Sequence, residues 1–190
     1  MILEIANFGR RQLASLLAEL NFKTAVEIGV AEGWYSKVIM ENNPQLKLYG
    51  VDPWTPYRGY SDYTRTSTFD RLEAEAHHQL DPYPNYTFLK EFSTDALKRF
   101  EDNTVDFVYL DGNHAEPYIS EDIRGWYKKV RPGGILAGHD YTRTRAHRND
   151  TRQAVQKFAK EQNKIVFVLG TDTIREDEVR DRPRSWLILK

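Results

Sequence analysis

Four acidic side chains stand at or beside the ends of apolar segments that read as β-strands. Glu27 lies next to the end of the first segment, and Asp52, Asp111 and Asp140 follow three later ones. Since parallel strands place their C-terminal ends on one edge of a sheet, these carboxyl groups would gather on a single rim. One acid at a strand end is usually a capping residue, whereas four on the functional edge of one sheet predict a binding or catalytic site.

The first strand end runs into a loop with two glycines. Gly29 and Gly33 permit positive φ and a close approach of backbone to a ligand, and an apolar helical pattern follows them. A ligand would therefore meet bare backbone and a helix N-terminus. A dinucleotide-binding loop would have a further glycine where this chain has Ala31. An ordinary strand-to-helix turn is the alternative interpretation.

Asp52 has the spacing of a ribose-binding acid. It lies nineteen positions after Gly33, about the separation at which such folds place a carboxylate that accepts both ribose hydroxyls. The alternative is a turn-forming aspartate before Pro53. The order of Glu27, Gly29 and Gly33 ahead of Asp52 favours the ribose role.

Composition limits the class of partner. The chain has 190 residues, a net charge of -1 and no cysteine. Near-neutral charge predicts a small-molecule ligand rather than nucleic acid, and we find neither a membrane-spanning run nor a signal peptide, so a cytoplasmic protein is expected. A homo-oligomer is compatible with the sequence. Without cysteine there is no disulfide or zinc-thiolate site, and any metal must be held by oxygen or imidazole.

The elements that would position these residues alternate between strand and helix. This pattern predicts an α/β, Rossmann-like three-layer sandwich, a single domain over residues 1–190. Its sheet would be mostly parallel and seven-stranded, with an antiparallel last strand. We expect an N-terminal helix at about 7–20. The aromatic loop 53–63 would form a lid or substrate wall, or would fold its rings onto the sheet edge.

Several segments together resemble the class I methyltransferases that use S-adenosylmethionine. Residues 26–33 resemble that family's first motif, 50–54 its ribose-binding strand end, and 131–134 the turn before its fifth strand. Residues 110–114 and 138–141 are similar to the paired metal and base motifs of one branch. That branch contains macrocin-type sugar O-methyltransferases and relatives of cephalosporin hydroxylase.

The resemblance implies a set of site residues. Around S-adenosylmethionine it places Glu27, Gly29 and Gly33 at the methionine and ribose portion, Asp52 at the ribose diol, Ser93 near the adenine, and Asp111 beside the cofactor. It also implies that Asp111 and Asp140 bind a divalent cation, with His114 as the general base, and it identifies no third protein ligand. Oxygen ligands and the lack of thiolates favour Mg²⁺.

The chemistry that follows is metal-assisted O-methylation of a sugar, catechol or natural-product hydroxyl. A neutral hydroxyl holds its proton too tightly to attack a sulfonium, so a bound cation would lower its pKa and His114 would remove the proton. Two other functions stay open: an NAD-dependent oxidoreductase, which Ala31 disfavours, and a non-catalytic nucleoside-binding domain.

Overall fold

Strands and helices alternate along the computed structural model, which describes residues 1–60, 63–142, 150–171 and 183–190. The described strands are β1 (Ile2–Ile5), β2 (Thr24–Ile28), β3 (Lys47–Val51), β4 (Tyr86–Leu89), β5 (Val105–Leu110), β6 (Val130–Gly138), β7 (Val166–Leu169) and β8 (Trp186–Leu189). The helices are α1 (Arg10–Glu19), α2 (Trp34–Asn42), α3 (Thr66–Leu80), α4 (Ser93–Ala96), α5 (Tyr118–Lys129) and α6 (Thr151–Glu161), and a 3₁₀ turn (Leu97–Arg99) follows α4.

The strands form one sheet in the order β1-β7-β8-β6-β5-β2-β3-β4. β8 runs antiparallel to both of its neighbours, β6 and β7, while the other pairs are parallel. The Rossmann-like architecture and the antiparallel last strand are therefore confirmed. Because β2, β3, β5 and β6 are parallel neighbours, their C-terminal ends share one edge, and the predicted acids lie there.

The side chains of the central strand β5 alternate between the two faces of the sheet and pack in the core on each face. Phe107 and Tyr109 join a buried cluster with Leu13, Ile39 and Leu72 of the helices α1, α2 and α3. Val108 and Leu110 point the other way, into a cluster with residues of α5 and α6. Since strand side chains alternate with a period of two, one strand can anchor helices on both faces, which produces the three layers.

The N-terminal region differs from the expectation in two ways. The sheet has an eighth strand, β1, which pairs in parallel with β7 at the edge. The helix expected at about 7–20 begins only at Arg10, after Gly9, whose backbone N–H donates to the Gln12 side chain at 3.0 Å. Asn7 instead adopts a φ of 55°, because the chain must turn between β1 and the helix. Within the described residues, no helix has the length and apolar character needed to cross a membrane.

Candidate functional site

The loop after β2 packs directly against the end of β5. Gly29 has a φ of 85°, and a Cβ at this position would lie 2.2 Å from the carbonyl oxygen of Asp111. Gly33, with a φ of 84°, caps α2 and faces Leu80 of α3. Ala31 adopts a φ of 49°, the left-handed conformation that glycine adopts most easily. The loop therefore keeps the tight path of a glycine loop although its middle position is alanine.

Asp52 fixes the shape of this loop. One carboxylate oxygen accepts the backbone N–H groups of Val30 at 3.0 Å and Ala31 at 3.1 Å, and the other accepts that of Trp54 at 2.8 Å. Burial raises the pKa of Asp52 above its ordinary value, although these three hydrogen bonds act in the opposite direction. The carboxylate therefore both organises the loop and borders the space in front of it.

That space is a cavity of about 330 Å³ at the C-terminal edge of the sheet. Its size suits a small organic ligand. Among the predicted cofactor residues, the cavity wall includes Gly29, Asp52, Ser93 and Asp111. Much of the remaining wall is aromatic and comes from the loop after β3 and its neighbours, namely Trp54, Tyr57, Tyr60, Tyr63, Phe69, Phe92 and Tyr118.

Two of the predicted cofactor residues, Glu27 and Gly33, are not part of the cavity wall. Glu27 is only 1% exposed and accepts a hydrogen bond from Ser36, whose hydroxyl lies 3.1 Å from that of Tyr86. Burial raises the pKa of Glu27 to about 8, despite the lowering effect of the Ser36 hydrogen bond. The side chain is therefore mostly a neutral carboxylic acid at pH 7, held beneath the loop.

The far end of the cavity is polar. The indole Nε1 of Trp126 donates to Ser93 Oγ at 2.8 Å, and Ser93 Oγ donates in turn to the carboxylate of Asp122. Burial raises the pKa of Asp122 to about 7, and the Ser93 hydrogen bond opposes that rise. Ser93 thus has a fixed orientation at the position predicted for the adenine. Asp122 had no sequence signal, because it falls inside a helix with ordinary periodicity.

Side chains of the aromatic loop form much of the cavity wall. Tyr57 stacks on Tyr60 with ring centroids 5.2 Å apart and meets Phe92 edge-on at 5.3 Å. The Tyr118 hydroxyl donates to the Arg58 carbonyl at 2.9 Å. Residues 61–62 of the predicted 53–63 loop lie outside the described part of the chain. Tyr57, Tyr60 and Tyr63 line the cavity. Trp54, which is only 3% exposed, also packs on Phe88 of the edge strand β4, so both expected arrangements occur in this loop.

Two acids and two histidines cluster beside the cavity. His114 Nε2 lies 3.1 Å from Asp140 Oδ2 and 3.8 Å from Asp111 Oδ1. His139 Nδ1 lies 3.2 Å from Asp140 Oδ2 and 3.5 Å from Asp111 Oδ1. On the other oxygen of Asp111, Arg10 of α1 approaches to 3.8 Å. The structure thus brings together the predicted Asp111, Asp140 and His114, and adds His139 and Arg10.

This cluster can hold a cation. Asp111, His139 and Asp140 each offer one ligand atom, and the three atoms lie within 4.8 Å of one another. Burial alone would raise the pKa of Asp140, but the hydrogen bond with His139 and the charges of His114, His139 and Arg10 hold that pKa below its ordinary value. A carboxylate that stays ionised can serve as a ligand for a metal ion.

His139 was not assigned a role from the sequence, although it directly precedes Asp140. Adjacent residues in a strand point to opposite faces, so they should not meet at one site. β6 ends at Gly138, however, and Asp140 has a φ of 54°, so the strand alternation no longer applies to this pair. Both side chains consequently reach the same cluster.

Comparison with known proteins gives a family and a fold. A family model described as a methyltransferase domain matches residues 26–141, which is more than half of the chain. The uncharacterized protein y4gI of Sinorhizobium fredii is 25% identical over 137 residues, covering 70% of this chain and 14% of that protein. The uncharacterized protein R132 of Acanthamoeba polyphaga mimivirus is 29% identical over 122 residues, covering 62% and 51%. The matched region is thus about half of one curated relative and a small part of the other.

Solved structures share the architecture at low identity. An O-methyltransferase from Bacillus cereus in complex with SAH has a TM-score of 0.65 at 13% identity, over 95% of this chain and 80% of that one. TomG, an O-methyltransferase from Streptomyces achromogenes in complex with SAM, has a TM-score of 0.63 at 17% identity, over 95% of this chain and 78% of that one. Spermidine synthase from Thermotoga maritima has a TM-score of 0.62 at 10% identity, over 97% of this chain and 60% of that one. At such identities the likeness shows a common fold.

Proposed function

The chain belongs to the methyltransferase domain family, and we propose that it transfers the methyl group of S-adenosylmethionine to a hydroxyl of a small molecule. The observation that carries the proposal concerns Asp111. This residue borders the cavity where a nucleoside would bind, and it is also part of the cluster of acids and histidines. Donor and acceptor would therefore meet at one side chain, as an in-line displacement requires.

The donor would occupy the cavity in front of the glycine loop. Asp52 would accept the ribose hydroxyls with the lone pairs that the loop N–H groups leave available, and Ser93 would lie near the adenine. Gly29 would let the cofactor approach the backbone closely. Glu27 and Gly33 would act from beneath the loop on the methionine end. The solved methyltransferases bound to SAH and SAM share this fold and support the choice of cofactor.

The acceptor hydroxyl would bind beside Asp111 and Asp140. A divalent cation on these carboxylates, when bound, would make the hydroxyl more acidic. His114 would accept the hydroxyl proton, and Asp140, 3.1 Å from His114 Nε2, would stabilise the imidazolium that forms. The acceptor oxygen then forms a bond to the methyl carbon while the carbon–sulfur bond breaks, and sulfur keeps the electron pair as S-adenosylhomocysteine leaves.

The test is methyl transfer from labelled S-adenosylmethionine to a panel of sugars, catechols and hydroxylated antibiotics. It compares the parent with Asp111→Asn, Asp140→Asn and His114→Ala, after EDTA treatment and after addition of divalent cations. We expect EDTA and either aspartate variant to abolish turnover, while Asp140→Asn, at a residue that does not line the cavity, should leave cofactor affinity nearly intact. We expect His114→Ala to keep the metal and lose about 10²- to 10⁴-fold in rate.

Two results would contradict the proposal in different ways. Full activity in the EDTA-treated parent would remove the metal from the mechanism. Tight cofactor binding without transfer to any acceptor would favour a nucleoside-binding domain that does no chemistry.

A further inference from the structure

The cluster beside the cavity contains a nitrogen donor, His139, that the sequence analysis did not assign as a metal ligand. His139 is only 6% exposed, so the packing around it restricts the orientation of its imidazole. Its Nδ1 is directed at the two carboxylate oxygens Asp111 Oδ1 and Asp140 Oδ2. Asp111, His139 and Asp140 form the one group of side chains found among the described residues that could hold a metal ion.

The spacing of these atoms suits coordination to one ion. Ligands about 2.1 Å from a metal and at right angles to one another lie about 3 Å apart. The separations of 3.2 Å and 3.5 Å between His139 Nδ1 and the two carboxylate oxygens are close to that value. The shorter separation is a hydrogen bond between His139 and Asp140, so a metal ion would replace the proton that these two atoms share. Arg10 approaches the other oxygen of Asp111, Oδ2, and so leaves Oδ1 directed at the cluster. His114 Nε2 lies at similar distances from the two carboxylates, 3.1 Å and 3.8 Å, so the experiment must distinguish the two histidines.

We propose that Asp111, Asp140 and His139 form a site with two carboxylates and one imidazole, which selects a divalent first-row transition ion over Mg²⁺, with Mn²⁺ as the spectroscopic probe. The inference rests on the proposed function, because it assigns the identity of the cation that assists the acceptor. Mg²⁺ favours carboxylate and water oxygens in a strict octahedron, whereas imidazole is a good ligand for transition metals. The Mg²⁺ expectation from the sequence counted only the oxygen ligands.

The experiment is a Mn²⁺ titration of the metal-stripped protein followed by electron paramagnetic resonance, with Mg²⁺ as competitor. Electron spin echo measurements on bound Mn²⁺ then report whether a nitrogen is coordinated. The variants are His139→Asp and His139→Gln, each of which replaces the imidazole by an oxygen donor. His114→Ala and the exposed His78→Ala serve as matched histidine controls. Circular dichroism and binding of S-adenosylhomocysteine verify that every variant is folded.

We expect the parent to bind one Mn²⁺ with nitrogen coupling. His139→Asp and His139→Gln should lose that coupling, and the preference for Mn²⁺ over Mg²⁺ should fall about ten-fold or more. Both control variants should keep the coupling. Mn²⁺ bound without nitrogen coupling would overturn the inference, but it would still agree with a cation on Asp111 and Asp140 as in the proposed function. Coupling that disappears in His114→Ala but persists in the His139 variants would overturn it too.

No specific Mn²⁺ binding to a parent that still binds S-adenosylhomocysteine would overturn both the inference and the metal of the proposed function. The proposed cofactor role would survive that result.

Discussion

The side-chain amide of Asn113 donates a hydrogen bond to the carbonyl oxygen of Gly59 at 3.1 Å, and so joins the aromatic loop to the segment between Asp111 and His114. The Tyr118 hydroxyl makes a second connection, to the carbonyl of Arg58. The cover of the cavity and the residues proposed for catalysis are therefore mechanically linked. Cofactor binding under the loop should also stabilise the position of His114.

Removing one of these connections should loosen the loop. Tyr118→Phe deletes only the hydroxyl that bonds Arg58 and keeps the ring, so we expect a loss of about 0.5–1.5 kcal/mol in loop closure. Tryptic cleavage after Arg58, followed by mass spectrometry, should be about 2- to 10-fold faster than in the parent. S-adenosylmethionine should slow cleavage in both.

The matched control is Tyr127→Phe, which removes a hydroxyl from the same helix α5 at a position that packs on Phe158. Its cleavage at Arg58 should equal that of the parent. Equal cleavage in Tyr118→Phe, or no protection by the cofactor, would count against a lid.

The buried Glu27 should make stability depend on pH. Its pKa rises from 4.5 to about 8 on folding, so between these values the folded chain holds a proton that the unfolded chain has released. The unfolding free energy then decreases as pH rises through that window, by up to about 1.4 kcal/mol per unit, and levels off above it. Glu27→Gln cannot ionise and should be the more stable protein at pH 8, by a few kcal/mol.

Urea unfolding at pH 5.5 and pH 8 measures this difference. Glu19→Gln, an exposed position on α1, is the control and should follow the parent at both pH values. Parallel pH profiles for the parent and Glu27→Gln would show that Glu27 is ionised in the folded protein, in contradiction to the buried neutral acid.

The sequence revealed the parts of the structure that have local signals. Apolar runs that end in Asp52 and Asp111, with helical patterns between them, were sufficient to predict a mostly parallel sheet and the position of these acids at one edge of it. β1 was missed because it has only four residues and its side chains are largely exposed, so it shows no buried face. Contacts such as Asn113 to Gly59, 54 residues apart, have no local signature at all.

Gly29 and Gly170 provide a comparison of two left-handed glycines. An alanine at either position pays the cost of positive φ, about 1–2 kcal/mol. At Gly170 no atom of the described residues lies within 4 Å of the added Cβ, whereas at Gly29 it would lie 2.2 Å from the Asp111 carbonyl oxygen. We expect Gly170→Ala to lose only the conformational cost and Gly29→Ala to lose clearly more, together with cofactor affinity. Thermal unfolding of the two variants tests this, and equal losses would contradict the close packing of the loop on β5.

Calorimetric titration with S-adenosylmethionine tests the central claim most directly, with the parent, Asp52→Ala and the exposed control Asp70→Ala. The account predicts one site in the parent and unchanged affinity in Asp70→Ala. Asp52→Ala should bind more weakly by about 1.5–3 kcal/mol, the range for hydrogen bonds to a charged group. NAD should not compete. Binding of NAD in place of S-adenosylmethionine, or equal affinity in the parent and Asp52→Ala, would contradict the account.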